Sequence, residues 1–450
     1  MNHVRAVAAA AGAVVAVTAL GACTPSDDGG GGSGSGPVTL EYWMWDDVQL
    51  PAYEQCAADF TEANPDIEVN ITQTAWGEYW TNLTTQLAAG SAPDVWVDQA
   101  SYYPQFVADQ QIVDLQPYLD ESDLDLAEYV DGLADIWVID EARYGLPKDW
   151  DTIALVYDKA KVEAAGIDPA TLSELTWNPD DGGTFGETIA ALSVDSAGRN
   201  GLDPAFDPGS VVTYGFLPEW ADGSQGQNGW GNFAASLGWT YSDTNPFGTE
   251  FNYDDPALVE TVDWLAGLSD QGFAPPLDAQ STLARSEVLL SGGGAMTTLG
   301  SFNMSTYADV SDQYGIAPLP IGPEGRKSAM NGLSDAIYAG SENKDAAWQW
   351  VEYLASPECQ QTVAESGVVF PAVQSATETA VEVRSADGLD AQVFVDQQQT
   401  EDGTFLIPIS EHGSEISQIV QDAIQSVALG QADAATALPE ANEKVNALFD

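Results

Sequence analysis

Along the chain, apolar positions switch repeatedly between a period of two and a period near 3.6. Residues 38–45 (VTLEYWMW) alternate, which predicts a strand with one buried face. Residues 51–63 place Tyr53, Cys56, Ala57 and Phe60 on one helical face and stop at Asn64-Pro65. Residues 67–74 alternate again through Ile67, Val69 and Ile71, and residues 77–89 predict a helix ended by Gly90. Residues 94–98 form a short third strand behind Pro93. This β-α-β-α-β order implies a parallel sheet with right-handed crossovers.

Further along, Asp149-Trp150-Asp151 precedes a strand over 152–157 and a helix that Gly166 stops. Residues 176–248 carry Trp177, Trp220, Trp230 and Trp239 among Gly, Asp and Asn turn signals, with little periodicity. A stretch this long without a period predicts an irregular functional region. Helices are expected over 254–270, 344–355, 357–366, 415–429 and 432–448, and short strands over 294–300 and 314–319. In open parallel sheets, ligands sit beyond the carboxyl ends of the strands. Those ends here carry Trp43, Trp45 and Asp46, then Trp76, then Asp98 and Gln99, so indoles and carboxylates are expected on one rim.

The amino terminus changes the picture of where the chain resides. Arg5 precedes an apolar stretch over 6–20, too short to span a bilayer as a mature helix. It ends in Leu20-Gly21-Ala22-Cys23, which resembles a bacterial lipobox, a signal in which the cysteine is acylated and becomes the new terminus. Residues 24–36 (TPSDDGGGGSGSG) read as a flexible tether. The expectation is a leader over 1–22, a lipidated tether over 23–37, and a protein held to the outer face of the membrane through lipid on Cys23. About 414 residues remain from Pro37 onward, more than one hydrophobic core accommodates, so two or more domains are expected.

Charge and composition narrow the partners. Twelve Lys+Arg face 70 Asp+Glu, a net charge of −58, which repels nucleic acid and anionic lipid. No basic cluster exists to hold a strongly anionic ligand. With Cys23 assigned to lipid, Cys56 and Cys359 are either a disulfide or two buried thiols. Beyond the leader the only histidine is His412, with no G-x-S-x-G motif, no paired His or Cys for zinc, no Walker loop, and no G-x-G-x-x-G after a strand. No cofactor or metal is therefore expected. Residues 195–203 faintly resemble a calcium loop but lack its third-position and fifth-position oxygens. Glycosidase chemistry needs only two carboxylates, so a secreted glycoside hydrolase stays open as an alternative. Aromatic rings with scattered Asp, Asn and Gln are the chemistry of a carbohydrate cleft: rings stack on C–H faces while charged acceptors bind hydroxyls strongly.

Taken together, several segments resemble the extracellular solute-binding proteins of bacterial ABC carbohydrate uptake, the family that includes maltose-binding protein. They are residues 144–157 (YGLPKDWDTIALVY), 166–169 (GIDP), 175–179 (LTWNP), 183–185 (GTF), 292–296 (GGGAM) with 300–302 (GSF), 316–320 (IAPLP), 331–337 (NGLSDAI), 341–348 (SENKDAAW) and 356–360 (SPECQ). The resemblance implies an α/β fold of two lobes, each a mostly parallel sheet flanked by helices, joined by hinge strands. Lobe one would comprise 38–148 with 331–373, and lobe two 149–330 with 374–450. Cys56 and Cys359 would then share lobe one, which favours their pairing. The resemblance further implies a monomer that catalyses nothing, binds a neutral mono- or oligosaccharide between its lobes and hands it to ABC permease subunits. A polyol is the non-sugar alternative. The binding residues it implies are Trp45, Asp46, Trp76 and Asp98 from lobe one. Asp149, Trp150, Asp151, Asn331 and Asp335 lie beside the hinge, and lobe two adds Trp220, Trp230, Trp239, Gly300 and Phe302.

Overall fold

The computed structural model describes residues 37–223, 225–280 and 284–450. The leader, the acylation expected at Cys23 and the tether through residue 36 lie outside the described residues. The opening elements form as their periodicity requires: β1 (Val38–Met44), α1 (Leu50–Ala63), β2 (Ile67–Gln73), α2 (Trp76–Ala89) and β3 (Val95–Gln99). Pro51 stands in the first turn of α1, where its missing N–H costs nothing. Gly90 closes α2 with a positive φ of 68°, a conformation that suits glycine. β1 lies between β2 and β3 and runs parallel to both.

Beyond β3 the sheet changes direction. The strand Ser328–Ile337 pairs antiparallel with β3, then with Asp149–Asp151, and Phe370–Pro371 follows at that edge. Thr404–Leu406 joins the start of Ser328–Ile337 in parallel. A separate sheet has Ile153–Asp158 at its centre, flanked by Met296–Gly300 and Tyr314–Ala317. Here the expectation of mostly parallel strands is corrected: both neighbours run antiparallel to the central strand. Among the described residues, parallel pairing beside this sheet occurs as the isolated bridges Tyr214–Gly294, Leu217–Thr297 and Thr176–Ile321. Alternation along a strand reports which face is buried but not which way the neighbour runs, so the pattern could not supply this.

Asp149–Asp151 belongs to the first sheet and Ile153–Asp158 to the second, so a single residue, Thr152, separates the two sheets along the chain. Its hydroxyl donates to the Phe394 carbonyl at 2.9 Å, and its own carbonyl accepts the Ser301 N–H at 3.0 Å. Ser328 Oγ accepts the Ile153 N–H at 2.8 Å, which ties the returning strand to the same crossing.

Apolar residues segregate accordingly. Leu40, Tyr42, Val97, Leu333 and Trp350 pack in a cluster on the first sheet. Tyr79, Leu83, Trp96, Tyr103 and Trp137 pack in another beneath α2. Ile153, Phe185, Trp230, Val262 and Ile416 belong to a large cluster on the second sheet. A further cluster contains Trp150, Val156, Leu299, Phe370 and Phe394 and so draws on both sheets. Cys56 and Cys359 form a disulfide, S–S 2.19 Å, that joins α1 to the helix Pro357–Ser366.

The weakly periodic region 176–248 contains the helices Gly183–Leu192 and Trp230–Ala235 and the paired strands Val194–Asp195 and Val211–Thr213. The Asp195 carboxylate accepts from the N–H groups of Ala197, Arg199 and Asp207 and from Arg199 Nε. Desolvation opposes its charge, but these donors outweigh it and hold the carboxyl down at about 2. Its oxygens serve a turn, and among the described residues no cluster of metal-ligating side chains occurs.

A groove between the two bodies

The carboxyl ends of the first-sheet strands are where the indoles gather. Trp45 follows β1, and its ring meets Trp76, Tyr79 and Trp80 edge-on or tilted, at centroid distances of 5.2, 5.1 and 5.6 Å. Trp76 and Trp80 are one helical turn apart on α2, so they share a face. Tyr102 stacks on Trp80 at 3.9 Å and 8°. Buried Tyr79 donates to the carbonyls of Val97 and Trp43, which fastens α2 across the ends of β1 and β3.

These rings form one wall of a groove of about 930 Å³. Trp76, Trp80 and Tyr102 line that wall; Ala221, Asp222, Gly223, Ser414, Ser417, Gln418 and Gln421 line the other. The polar residues 414–421 belong to the helix Gly413–Ala428, which buries Ile416, Val420 and Ile424 in the second-sheet cluster. The groove therefore lies between two separately packed cores. Its polar wall is braced: Gln421 Oε1 accepts the Gly223 N–H at 3.2 Å, and Ser417 Oγ donates to the Gly223 carbonyl at 3.0 Å. Burial, with Asp222 adding repulsion, pushes the Tyr102 hydroxyl up to about 12, so it stays a hydrogen-bond donor at neutral pH.

The expected carboxylates divide by sheet face. Asn331 is opposite Asp151, Leu333 opposite Asp149, and Asp335 opposite Val97, so Asp149, Asp151, Asn331 and Asp335 share one face. Asp98 is opposite Ser334 and points to the other. Burial pushes Asp98 well above the usual carboxylate range; Oδ1 accepts the Gln99 N–H while Oδ2 has no partner. Asp151 is likewise raised, by burial and then by Asp149, and accepts a hydrogen bond from Gln227 Nε2 at 2.5 Å. Asp335 is raised by burial to about 6 and accepts from Tyr42 OH at 2.8 Å. Lys148 lies among them, 3.4 Å from Asp149 and 4.0 Å from the Tyr53 ring centroid. Burial works against its charge, but Tyr53, Asp149 and Asp335 together raise it. Both Asp46 oxygens are engaged, one by the N–H groups of Val48 and Gln49 and the other by Gln49 Nε2.

The remaining expected residues lie elsewhere. Trp150 is 1% exposed, tilted against Phe370, and donates from Nε1 to Thr377 Oγ1. Trp230 and Trp239 are 2% and 4% exposed and pack on each other in the second-sheet core. Trp220 is buried there too but also edges a smaller hollow. The structure places these four indoles in packing rather than on the groove wall. Phe302 follows a second-sheet strand yet packs against the first-sheet cluster, spanning the two bodies. Gly300 permits this: a Cβ there would stand 2.3 Å from the Phe302 ring and 2.9 Å from Asn228 Oδ1. Trp80, Tyr102, Asp222 and the polar face of 414–421 were not among the expected residues. The i, i+4 spacing of Trp76 and Trp80 at the start of α2 was the one signal that could have revealed the pair.

Residues 55–388 match the model of a family described as bacterial extracellular solute-binding protein. The chain belongs to that family. Among curated relatives of this solute-binding protein, the galactooligosaccharide-binding protein of Bacillus subtilis is 24% identical over 433 residues, covering 94% of this chain and 92% of that one. A crystal structure of UspC from M. tuberculosis superposes with a TM-score of 0.71 at 27% identity, covering 91% of this chain and 100% of that one. An ABC substrate-binding protein of Listeria monocytogenes, in complex with cycloalternan, gives 0.79 at 18% identity and covers 92% of this chain and 99% of that one. The fold is the two-lobed α/β fold of periplasmic sugar-binding proteins.

Proposed function

We propose that this chain is the substrate-binding component of an ABC importer, and that it takes a neutral sugar or oligosaccharide in the groove between its lobes. The groove itself carries the reading: rings of Trp76, Trp80 and Tyr102 face a wall of hydroxyls, amides and Asp222 across about 930 Å³. That volume lies within the ~300–1,000 Å³ of small-molecule sites. Stacking on one side and hydrogen bonding on the other suit a ring with apolar faces and a polar perimeter. Relatives named for galactooligosaccharide and maltodextrin support the same ligand class.

Binding closes the lobes only through contacts that the open form lacks. We assign the lobes to 38–148 with 331–373 and to 149–330 with 374–450, except that Asp149–Asp151 pairs in the first sheet and goes with lobe one, so that the chain crosses at Thr152. Asp151, Asn331, Gly300 and Phe302 sit near that crossing and complete the proposed site with Trp45 behind the aromatic wall. The protein works as a lipid-anchored monomer through Cys23, transfers sugar to permease subunits and performs no catalysis. Calorimetric titration of the purified protein with mono- and oligosaccharides tests this. Saturable binding without shortening of the sugar is expected; release of shorter products would instead establish a hydrolase.

A further inference from the structure

Asp149 and Asp151 share one face of the first sheet, and a single lysine, Lys148, stands beside the pair. Its Nζ is 3.4 Å from Asp149 Oδ2, and among the described residues no cation pairs with Asp151. Asp151 accepts instead from a neutral amide, Gln227 Nε2, at 2.5 Å. Asp149 repels a charge there, and Asp335 lies further along the same face. Directly across the ladder is Asn331, whose buried Oδ1 has no partner. Side chains opposite each other in a ladder have Cβ atoms about 4.5–5.5 Å apart, close enough for an acid and an amide to bond. An ionised Asp151 would meet that oxygen as one acceptor meets another. A protonated Asp151 keeps one oxygen for Gln227 and gives its O–H to Asn331, so every group is satisfied. Burial, with Asp149 adding repulsion, pushes the acid well above the usual carboxylate range, in the same direction.

The two partners of Asp151 come from different lobes. Asn331 lies on Ser328–Ile337 where that strand pairs in the first sheet. Gln227 belongs to the second body: its carbonyl accepts from Asn232 Nδ2 at 2.7 Å, on the helix Trp230–Ala235 that packs in the second-sheet core. The same loop is tied to the polar wall of the groove, since Asp222 accepts the N–H groups of Gly226 and Asn228 at 3.2 and 2.8 Å.

We infer that Asp151 makes ligand capture proton-coupled: closing the lobes seals a proton between Asp151 and Asn331, and affinity falls as pH rises. The inference rests on the sugar-binding reading above and adds its regulation. In the open form Gln227 withdraws with its lobe and water reaches the carboxyl, which then ionises at the ordinary carboxylate value of about 4. The closed form holds a proton that the open form has released. Closure is therefore favoured at low pH and loses that advantage as pH rises from the open-form value to the closed-form one. Asp335 titrates without this coupling, because Tyr42 and the strands around it all belong to the first body.

The test is calorimetric titration of the full chain with maltotriose, mannotriose and galactotriose at pH 5, 6 and 7, in buffers of different ionisation enthalpy. The dependence of the heat on the buffer gives the number of protons taken up per sugar bound. About one proton is expected at pH 5, with a Kd that rises up to tenfold per pH unit while uptake persists. Asp151→Asn keeps an acceptor for Gln227 and a donor for Asn331 but cannot titrate. It should bring the proton number to zero and flatten the pH profile, whatever its affinity. Thermal melts show whether the variant is folded, and the wild-type proton number decides if it is not. A wild type that takes up no proton at any of the three pH values, or a folded Asp151→Asn that still takes one up, overturns the coupling while sugar binding stands. Absence of binding by every probe overturns both readings.

Discussion

Two groups of tryptophans stand in contrast. Trp76 and Trp80 begin α2, past the ends of the first-sheet strands, and keep partial exposure along a groove. Trp230 and Trp239 come from a turn-rich stretch that looks more like a surface, yet they are sealed in the second-sheet core. The difference lies in what covers each ring. Trp80 has a stacked Tyr102 on one side and the groove on the other. Trp239 has Trp230, Tyr241 and Tyr253 around it, and its Nε1–H is spent on the Asn252 carbonyl at 2.8 Å. A turn-rich context therefore does not by itself make an indole available; the depth of the layer folded over it does.

The contrast can be broken most directly at Trp230. Trp230→Ala should cost about 3–5 kcal/mol of stability, the range for an aromatic removed from a core. Chemical denaturation measures it, and a loss below ~1 kcal/mol would mean that the ring is not buried as described.

Next in size is a test of the polar layer that neither group shields. Burial raises the folded-state carboxyl of Asp335 to about 6, above the usual carboxylate range of about 4. The folded protein thus holds a proton that the unfolded chain has released, so this group's contribution to stability falls as pH rises from about 4 to 6 and is constant above. Asp335→Asn keeps an acceptor for Tyr42 and should remove about 2–3 kcal/mol of that pH dependence. Unfolding curves across this window report it. An unchanged slope would show that Asp335 is not the group responsible.

Trp76→Ala probes the other half of the contrast. It should leave the melting temperature within a few degrees of wild type and weaken sugar binding about tenfold, or ~1.4 kcal/mol. Equal affinity in the variant would remove Trp76 from the site. The smallest effect is expected at Gln421→Ala, which releases the Gly223 N–H from the polar wall and should cost about 0.5–1.5 kcal/mol of binding, read by the same titration.

Much of the first sheet was legible beforehand. Period-two and period-3.6 patterns placed β1, α1, β2 and α2 within a residue or two, because each has a more buried and a wetter face, while β3, buried at every position, was marked by its place after Pro93. The strand Ser328–Ile337 offered no such alternation, since it is buried at every position; only its resemblance to a known return crossing marked it. Cys56 and Cys359 were visible as a possible pair, but 303 residues separate them, and only the packing of α1 on Pro357–Ser366 brings their sulfurs together.

What the chain determined by itself was local: which segments are strands and helices, that no histidine or cysteine cluster exists for catalysis or zinc, and that the surface is polyanionic. Tertiary structure decided which aromatics face the groove, which carboxylates share a sheet face, and which way the second sheet's strands run. The reason is that periodicity is a property of one segment against an averaged environment. Exposure of a particular ring, and the charge state of a particular acid, depend on neighbours brought in from distant parts of the chain.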